Sequence, residues 1–380
     1  MTRQYQRKLS RRTFGKAAAT SWLALAAGKA RAGDGDTRRL NGAGAPAKGW
    51  FGQSRRDDRS CRIERTTFSS NGHDPLESNF DDRFGTTPLS ENVYGRVAVE
   101  TCLDGRPLRI YEPVYVDASK SKDKLSSFYP LPVAEGARHG TWSTHGYNNA
   151  GAYAIKRFSS LKRHIELSGN LHVHVWPSHG WEGAIWEKLT ALLYQWDASN
   201  LEQSVEAIRE SLVEFLKTHL TVDAITSSMG ARGFVLAVDL IYKSQDKALL
   251  ARLRNVLLAT PDQRVPEFEQ RYLPAARAFQ FHTTILVSKQ DLAMKGSEWW
   301  NGDRRVGSTS KGIYVSRHPR IQTVDISDVD DSTNGHAGMF EARAVQTAIR
   351  EWLVEQKPIG RRYKHSEHRH PNGRYWRLER

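Results

Sequence analysis

Three observations predict an α/β protein with a mostly parallel sheet that is covered by helices on both faces. Strand-like and helix-like patterns alternate from about residue 145 onward, and this alternation typically builds parallel sheets. The 380 residues, 39% of them hydrophobic, suffice for one large core. The stretch VDAITSSMGARGFVLAVDLIY places two serines between a strand-like run and a helix-like run. We therefore expect functional residues where strands end, as in other open α/β sheets.

The individual elements follow from their residue patterns in chain order. β-branched and aromatic residues predict the first strands in NVYGRVAVETCL and PLRIYEPVYV. Apolar residues at helical spacing predict helices in AGAYAIKRFSSLKRHI, EQSVEAIRESLVEFLKTH, ARGFVLAVDLIYKS and MFEARAVQTAIREWLVEQ. Further strands are predicted in NLHVHVWPS, LTVDAITS, LRNVLLATPD, FQFHTTILVSKQD and RIQTVDISDVDD. Together these elements place the folded domain at residues 83–357.

Three segments outside this domain are predicted from composition. Residues 1–32 combine a basic start, a short apolar stretch and a small-residue cleavage site, which is typical of a signal peptide. SRRTFGK within them resembles the twin-arginine export motif, so we expect the twin-arginine translocation machinery to export the chain to the periplasm or medium. The alternative is a basic N-terminus that stays attached. Residues 33–82 predict an irregular leader, and residues 358–380 a basic, His-rich tail without an apolar period.

The positive charge lies mainly at the two ends of the chain. Of the net +14, residues 1–32 supply +8 and the last 21 residues supply +5, which leaves about +1 for the body. No specific nucleic-acid partner is therefore expected. The tail is expected to make at most a weak electrostatic contact with an anionic envelope surface. No apolar run reaches the roughly 18–20 residues needed to span a membrane.

The cysteines and histidines predict no cofactor and no metal site. Cys61 and Cys102 form either a disulfide or two unrelated buried thiols, and their spacing fits neither a metal site nor C-x-x-C chemistry. His172 and His174 share one face of a strand, and we interpret them as packing or hydrogen-bonded residues rather than as a metal pair. His179 follows a strand end, so either it borders the site or it is an ordinary loop residue.

The two adjacent serines differ in whether they suit a nucleophile elbow, which is a strained turn between a strand and a helix. The residues two before and two after the nucleophile must be small, because the backbones approach closely there. For Ser228 these residues are Thr226 and Gly230, whereas for Ser227 both neighbours are large. Ser228 is therefore the candidate nucleophile; the alternative is an ordinary helix N-cap.

An acid and a base follow the serine in the order that an α/β-hydrolase requires. Asp291 comes after the strand in FHTTILVS, and His336 lies in NGHAG after the last strand of the alternating region. The imidazole would accept the serine proton, and the carboxylate would orient the imidazole. Asp262, one strand earlier, is the alternative acid. His318 precedes its strand and is discounted.

An oxyanion hole requires two backbone N–H groups that face the developing negative charge. The first is expected from Met229, directly after the nucleophile. The second is expected from Tyr147 or Gly146 in the stretch STHGYNNAGAY, which follows an early strand. The alternative is an ordinary Gly/Asn loop with an N-cap.

Several motifs resemble those of a bacterial family of esterase/lipase-like α/β-hydrolases of unknown function. They are THGYNN, VWPSHG, SSMG, LLATPD, VSKQDLAM, RRVGS and NGHAG, together with RFGTTPLSENVYGRVAV. The resemblance covers about residues 83–357 and implies an α/β-hydrolase fold with Ser228 as nucleophile, Asp291 as acid and His336 as base. Ser227 stands where the family usually has histidine, and Thr226 where it has alanine.

These features predict an exported serine hydrolase that acts on an ester, either a small molecule or a lipid-like one, through an acyl-enzyme. The first alternative is a catalytically silent binding protein that keeps the fold. The second is the same triad acting on an amide, thioester or lactone. Trp299 and Trp300 in EWWNG are either an apolar wall for the substrate or ordinary packing residues.

Overall fold

One sheet of twelve strands organises the described part of the chain. The computed structural model describes residues 61–73, 80, 83–102, 109–111, 113–115, 139–149, 151–179, 190–332, 334–356 and 365–380. Apart from Thr190, these residues belong to one compact unit, Asp58–Trp181 with Ala191–Arg380. The strands are β1 (Cys61–Ser70), β2 (Val93–Cys102), β3 (Arg109–Ile110), β4 (Val114–Tyr115), β5 (His139–Thr144), β6 (Asn170–Val175), β7 (Thr221–Ser227), β8 (Leu253–Ala259), β9 (His282–Val287), β10 (Ile321–Asp325), β11 (His365–His370) and β12 (Gly373–Leu378).

The sheet is mostly parallel, as the alternating pattern predicts. Its order is β11-β12-β10-β9-β8-β7-β5-β6-β1-β2-β3, and β4 also pairs with β2. All neighbours from β12 to β1 in this order run parallel. Antiparallel pairs among the described strands occur only at the two ends of the sheet.

Helices cover both faces of the sheet, which confirms the predicted α/β-hydrolase architecture. They are α1 (Gly151–His164), α2 (Thr190–Thr218), α3 (Met229–Tyr242), α4 (Val265–Arg271), α5 (Leu273–Phe279), α6 (Leu292–Asn301), α7 (Gly338–Glu341) and α8 (Arg343–Leu353), with a 3₁₀ helix at Gln245–Arg252. Alternate strand residues enter two separate hydrophobic clusters, because successive side chains point to opposite faces. Ala224 and Val256 pack with α2 and α3, whereas Ile225 and Leu257 pack with α1 and α8. The helices α4, α5 and α6 were not predicted.

The strand order reverses at β5, and this reversal determines where a ligand fits. Strand β6 follows β5 through α1 and lies on one side of it, whereas β7 lies on the other side. Helices on opposite faces leave a crevice at such a switch point, beyond the carboxyl ends of the strands. Thr144 ends β5 and Ser227 ends β7, and the two strands pair in parallel. The residues that follow them, His145 and Ser228, therefore meet at this crevice.

Two segments outside the predicted folded domain contain strands. The leader prediction is wrong for β1, which lies between β2 and β6 in the sheet. Residues 1–60 lie outside the described residues, and with them the signal peptide and its cleavage site. The basic, His-rich tail predicted at residues 358–380 contains β11 and β12, which form a hairpin whose second strand pairs with β10.

A disulfide joins Cys61 at the start of β1 to Cys102 at the end of β2. The two residues face each other in the antiparallel register of these strands, which decides between the two alternatives left open by the sequence. None of the helices in the described residues has the length and apolar character to span a membrane.

Candidate active site

Ser228 lies in the turn between β7 and α3 with a backbone conformation that is unusual for any residue except glycine. Its φ is 52° and its ψ is −122°. It precedes the first residue of α3, but its side chain makes no capping hydrogen bond to the helix. A serine that served only as an N-cap would accept a hydrogen bond from the first turn. Strain of this kind, held by the surrounding structure, is often found at functional sites.

Thr226 and Gly230, two residues before and after Ser228, are constrained by contacts with the neighbouring strands. A Cβ atom on Gly230 would lie 2.2 Å from the carbonyl oxygen of His145, so the end of β5 leaves no room for a side chain. Thr226 is fully buried, and its hydroxyl donates to the carbonyl of Leu257 at 3.3 Å. The larger threonine is thus accommodated by a hydrogen bond to the neighbouring strand.

Asp291 and His336 lie side by side at the ends of β9 and β10. His336 Nδ1 is 2.8 Å from Asp291 Oδ2. The other carboxylate oxygen accepts a hydrogen bond from the backbone N–H of Met294 at 2.8 Å and caps α6. Asp291 therefore contacts the imidazole with one oxygen and caps a helix with the other. Gly335 lets the loop of His336 approach, because a Cβ there would lie 2.4 Å from the carbonyl carbon of Gln290.

The environment raises the pKa of His336 above its ordinary value. Burial acts against the charged imidazolium, but the charge and the hydrogen bond of Asp291 together outweigh it, and the charge of Asp262 adds to them. Asp291 is buried and faces the ring directly. The pair is therefore suited to accept a proton at Nε2 and to stabilise the resulting cation.

Ser228 and His336 both border the end of β8. The Ser228 N–H donates to the Ala259 carbonyl at 3.0 Å, and the Thr260 hydroxyl lies 3.3 Å from His336 Nδ1. Within the described residues, the Ser228 hydroxyl has no hydrogen bond to His336. Catalytic hydrogen bonds are often long before substrate binds and shorten in the complex.

The loop after β5 presses against the candidate nucleophile. A Cβ on Gly146 would lie 2.8 Å from Ser228 Cβ and 3.2 Å from the Ser227 carbonyl oxygen, so only glycine fits. Met229 begins α3, and its N–H has no acceptor within the helix. Gly146 and Met229 thus flank Ser228 as the sequence predicts for an oxyanion site.

Side chains of the same loop fix the peptide between Gly146 and Tyr147. The Asn149 amide donates to the carbonyl of Gly146 at 3.2 Å and to that of Tyr147 at 2.9 Å. His145 Nδ1 also contacts the Gly146 carbonyl at 2.8 Å. In a trans peptide the N–H points opposite to the carbonyl. The Tyr147 N–H is therefore directed away from Asn149.

Asp197 on α2 is a buried residue of this region that the sequence analysis missed. Its carboxylate accepts hydrogen bonds from the Asn148 N–H at 3.2 Å and the Ser178 hydroxyl at 2.7 Å. It also contacts the ring of His179 at 2.7 Å. His179 thus lies beside the oxyanion loop. The helix pattern alone gives no signal for Asp197, because a carboxylate on a helix is usually exposed.

Asp262, the alternative acid, is engaged by other partners. It accepts hydrogen bonds from the hydroxyls of Tyr194 and Ser297, each at 2.6 Å, and forms an ion pair with Arg305 at 3.3 Å. Asp262 is fully buried, and no hydrogen bond joins it to His336 among the described residues. Its influence on His336 is that of a nearby charge.

The other histidines pointed out by the sequence lie in the core or at the far end of the sheet. His172 Nδ1 is 3.0 Å from the Thr67 hydroxyl, and the Ser69 hydroxyl lies 2.9 Å from both His172 Nε2 and His174 Nδ1. These rings are hydrogen-bonded packing residues. His318 precedes β10, so it lies at the opposite end of that strand from the loop of His336. Trp299, one of the two tryptophans considered as an apolar wall, is 66% exposed.

One group of three potential metal ligands occurs in the described residues, and it consists of Cys61, Glu100 and Cys102. Both cysteines are engaged in the disulfide, so their sulfur atoms are not thiolate ligands.

The family model for "Alpha/beta hydrolase of unknown function (DUF900)" matches residues 138–353, which include every candidate site residue. The chain belongs to this family of α/β hydrolases. The family match agrees with the observed fold and with the resemblance seen in the sequence. No curated protein is significantly similar in sequence to the chain.

The solved structures that are similar to this family member include two esterases and a phosphotriesterase. Est1E from Butyrivibrio proteoclasticus is 12% identical with a TM-score of 0.34, and the match covers 70% of this chain and 95% of that one. A thermostable esterase from Pseudomonas putida ECU1011 is 12% identical with a TM-score of 0.32, covering 80% and 84%. A dienelactone hydrolase-like promiscuous phosphotriesterase from metagenomic libraries is 11% identical with a TM-score of 0.32, covering 78% and 96%.

Proposed function

We propose that this α/β hydrolase is a carboxylesterase that acts through an acyl-enzyme, with Ser228 as nucleophile, His336 as base and Asp291 as acid. The observation that carries the proposal is the 2.8 Å contact between His336 Nδ1 and Asp291 Oδ2 at the ends of neighbouring strands. The strained backbone of Ser228, whose hydroxyl does not cap its helix, supports it.

In this mechanism Ser228 Oγ attacks the ester carbonyl carbon while its proton passes to His336 Nε2. Asp291 stabilises the imidazolium, and the N–H groups of Met229 and Tyr147 stabilise the oxyanion. The imidazolium then protonates the leaving alcohol, and an ester bond to Ser228 remains. Water attacks this acyl-enzyme with His336 again as base, which releases the acid and restores the serine.

The substrate is proposed to be a small-molecule or lipid-like ester. The same three residues would also cleave an amide, thioester or lactone. A silent binding protein would not require a strained serine, so the conformation of Ser228 favours catalysis.

Labelling by a fluorophosphonate probe and hydrolysis of activated esters of several acyl lengths test this function. Wild-type protein is expected to react, and Ser228→Ala to be inert. Ser227→Ala is the matched control, because it removes a hydroxyl one residue away and is expected to retain most activity. An unlabelled, inactive wild-type protein would support the silent alternative, and an inactive Ser227→Ala variant with an active Ser228→Ala variant would reverse the assignment.

We also propose that the chain is exported through the twin-arginine pathway. The motif around Arg11 and Arg12 supports this route, and a disulfide between Cys61 and Cys102 is typical of an oxidising compartment. Replacing both arginines with lysine is expected to leave the precursor in the cytoplasm, as measured by cell fractionation. Normal export of the double variant would contradict the proposal.

A further inference from the structure

Thr260 has a backbone conformation that is rare for its residue type. Six described residues other than glycine have a positive φ, and they fall into two groups. Three follow the ends of helices, where left-handed residues are common: Glu166, Gln280 and Gln356. The other three border the candidate site: Asn148, Ser228 and Thr260. With a φ of 41°, Thr260 is the β-branched member of the set, and such residues strongly avoid this region.

The residue after Thr260 is Pro261, which restricts the preceding backbone further and disfavours this conformation again. Three backbone hydrogen bonds nevertheless hold the turn. The Thr260 N–H donates to the Leu286 carbonyl at 3.0 Å, the Gly307 N–H to the Pro261 carbonyl at 2.9 Å, and the Asp262 N–H to the Ser228 carbonyl at 3.1 Å. Neighbouring elements thus impose the strained conformation on Thr260.

Gly307 allows the hydrogen bond to Pro261 to form, because its Cα lies directly against the peptide bond between Thr260 and Pro261. A Cβ at Gly307 would be 2.4 Å from both the Thr260 carbonyl carbon and the Pro261 nitrogen. The motifs LLATPD and RRVGS therefore meet at this turn. Neither motif contributes a member of the proposed triad, so another role is needed to account for their arrangement.

The turn directs the Thr260 hydroxyl at the imidazole of His336. Thr260 is buried at 3% exposure, and its Oγ1 lies 3.3 Å from His336 Nδ1. The same nitrogen is 2.8 Å from Asp291 Oδ2. A proton on Nδ1 can be shared between these two oxygens in a three-centre hydrogen bond. A second acceptor at the same nitrogen narrows the range of ring orientations in which Nδ1–H keeps both hydrogen bonds.

We propose that Thr260 is a positioning residue that, together with Asp291, holds the proton of His336 on Nδ1 and keeps Nε2 directed at Ser228. This inference rests on the proposed function for its catalytic consequence, but the contact itself does not depend on turnover. The hydroxyl acts as an acceptor toward Nδ1–H. Because hydrogen bonds to a charged partner are stronger than those to a neutral one, the hydroxyl favours the imidazolium over the neutral ring.

Three substitutions separate the hydroxyl from the strain. Thr260→Val keeps the shape and the β-branch but loses the hydroxyl, Thr260→Ser keeps the hydroxyl, and Thr260→Gly removes the strain and the hydroxyl together. The pKa of His336 is measured by NMR titration of the ring resonances, assigned with His336→Gln, and kcat/KM is measured against pH on an activated ester. Thermal unfolding reports stability.

Thr260→Val is expected to lower the pKa of His336 and to reduce kcat by about tenfold with little change in KM. Thr260→Ser is expected to restore the wild-type pKa and most of kcat. Thr260→Gly is expected to unfold at a higher temperature than Thr260→Val while remaining as slow. An unchanged His336 pKa in Thr260→Val overturns the positioning proposal. A shifted pKa in a protein whose wild type neither hydrolyses esters nor reacts with the probe retains the contact and refutes the proposed function instead.

Discussion

Replacing Gly146 with alanine tests the proposed oxyanion site without replacing any residue of the proposed triad. The new Cβ would lie 2.8 Å from Ser228 Cβ and 3.2 Å from the Ser227 carbonyl oxygen. Carbon atoms in contact are separated by about 3.5–4.0 Å, so the loop must retreat from Ser228 by roughly 0.7–1.2 Å. Neither atom can move aside easily, because the Ser227 carbonyl oxygen belongs to the backbone and Ser228 Cβ is bonded directly to the backbone.

A retreat of this size takes the Tyr147 N–H out of hydrogen-bonding range of the oxyanion, since such donors act at about 2.7–3.1 Å. Loss of one donor typically lowers kcat by about 10²–10³, or roughly 3–4 kcal/mol of transition-state stabilisation. KM is expected to change little, because the ground-state carbonyl does not depend on this donor. Overpacking is expected to lower the stability by about 1–3 kcal/mol.

Gly296→Ala provides a matched control. Gly296 lies within α6, and a Cβ there would meet no atom within 4 Å. The substitution is expected to leave kcat unchanged and to raise stability by roughly 0.5–1 kcal/mol, because glycine weakens helix interiors. The assays are steady-state hydrolysis of an activated ester and thermal unfolding. A Gly146→Ala variant with kcat within about threefold of wild type would refute the assigned close approach or the role of the loop.

Three further outcomes are expected. Asp291→Asn should fold, and its kcat should fall by about 10⁴. Asp262→Asn should mainly lower the unfolding temperature, because it leaves the buried Arg305 without its ionic partner. If Asp262→Asn lost activity and Asp291→Asn did not, the two roles would have to be exchanged. Burial lowers the pKa of His172 to about 3. Below pH 6.5 the unfolded chain therefore binds a proton at this residue that the native state excludes. As a result, the free energy of unfolding should fall by about 1 kcal/mol for each pH unit from this group. Unfolding temperatures at pH 7 and pH 5 measure this loss, and His172→Gln should show a shallower dependence. Reduction of the bond between Cys61 and Cys102, which are 41 residues apart, should cost about 4 kcal/mol in denaturant unfolding; equal midpoints with and without reductant would contradict it.

Local patterns predicted the elements that carry the candidate site. The strand ending at Ser227 was predicted from its apolar and β-branched residues, and the helix that begins at Met229 was predicted from Ala231 onward by its 3.6-residue period. Chain order placed Asp291 and His336 after successive strands, and β9 and β10 are neighbours in the sheet. Thr260 was not predicted, since a backbone conformation imposed by neighbouring segments has no local signature.

Three strands were missed, β1 for one reason and the hairpin of β11 and β12 for another. The buried half of β1 reads TTFSS, and its hydroxyls are satisfied by partners about a hundred residues away, which no local pattern reports. The hairpin of β11 and β12 turns at Pro371 and Asn372, which are common turn residues. The strands on either side are rich in charged and histidine residues, so they lack the apolar alternation that predicts a strand.

The hydroxyls of β1 also determine how this strand aligns with β6. Thr67 and Ser69 stand opposite His172 and His174 in the parallel register, and each hydroxyl contacts an imidazole. A slip of one residue would reverse the faces of β1, place Phe68 among the rings and leave imidazole nitrogens without partners. Each buried polar group that loses its hydrogen-bond partner costs about 1–3 kcal/mol of stability. If the residues in contact were all apolar, the slip would only replace one apolar side chain by another. The polar layer thus specifies one register for β1 beside β6, because a slip of one residue would leave buried polar groups without partners.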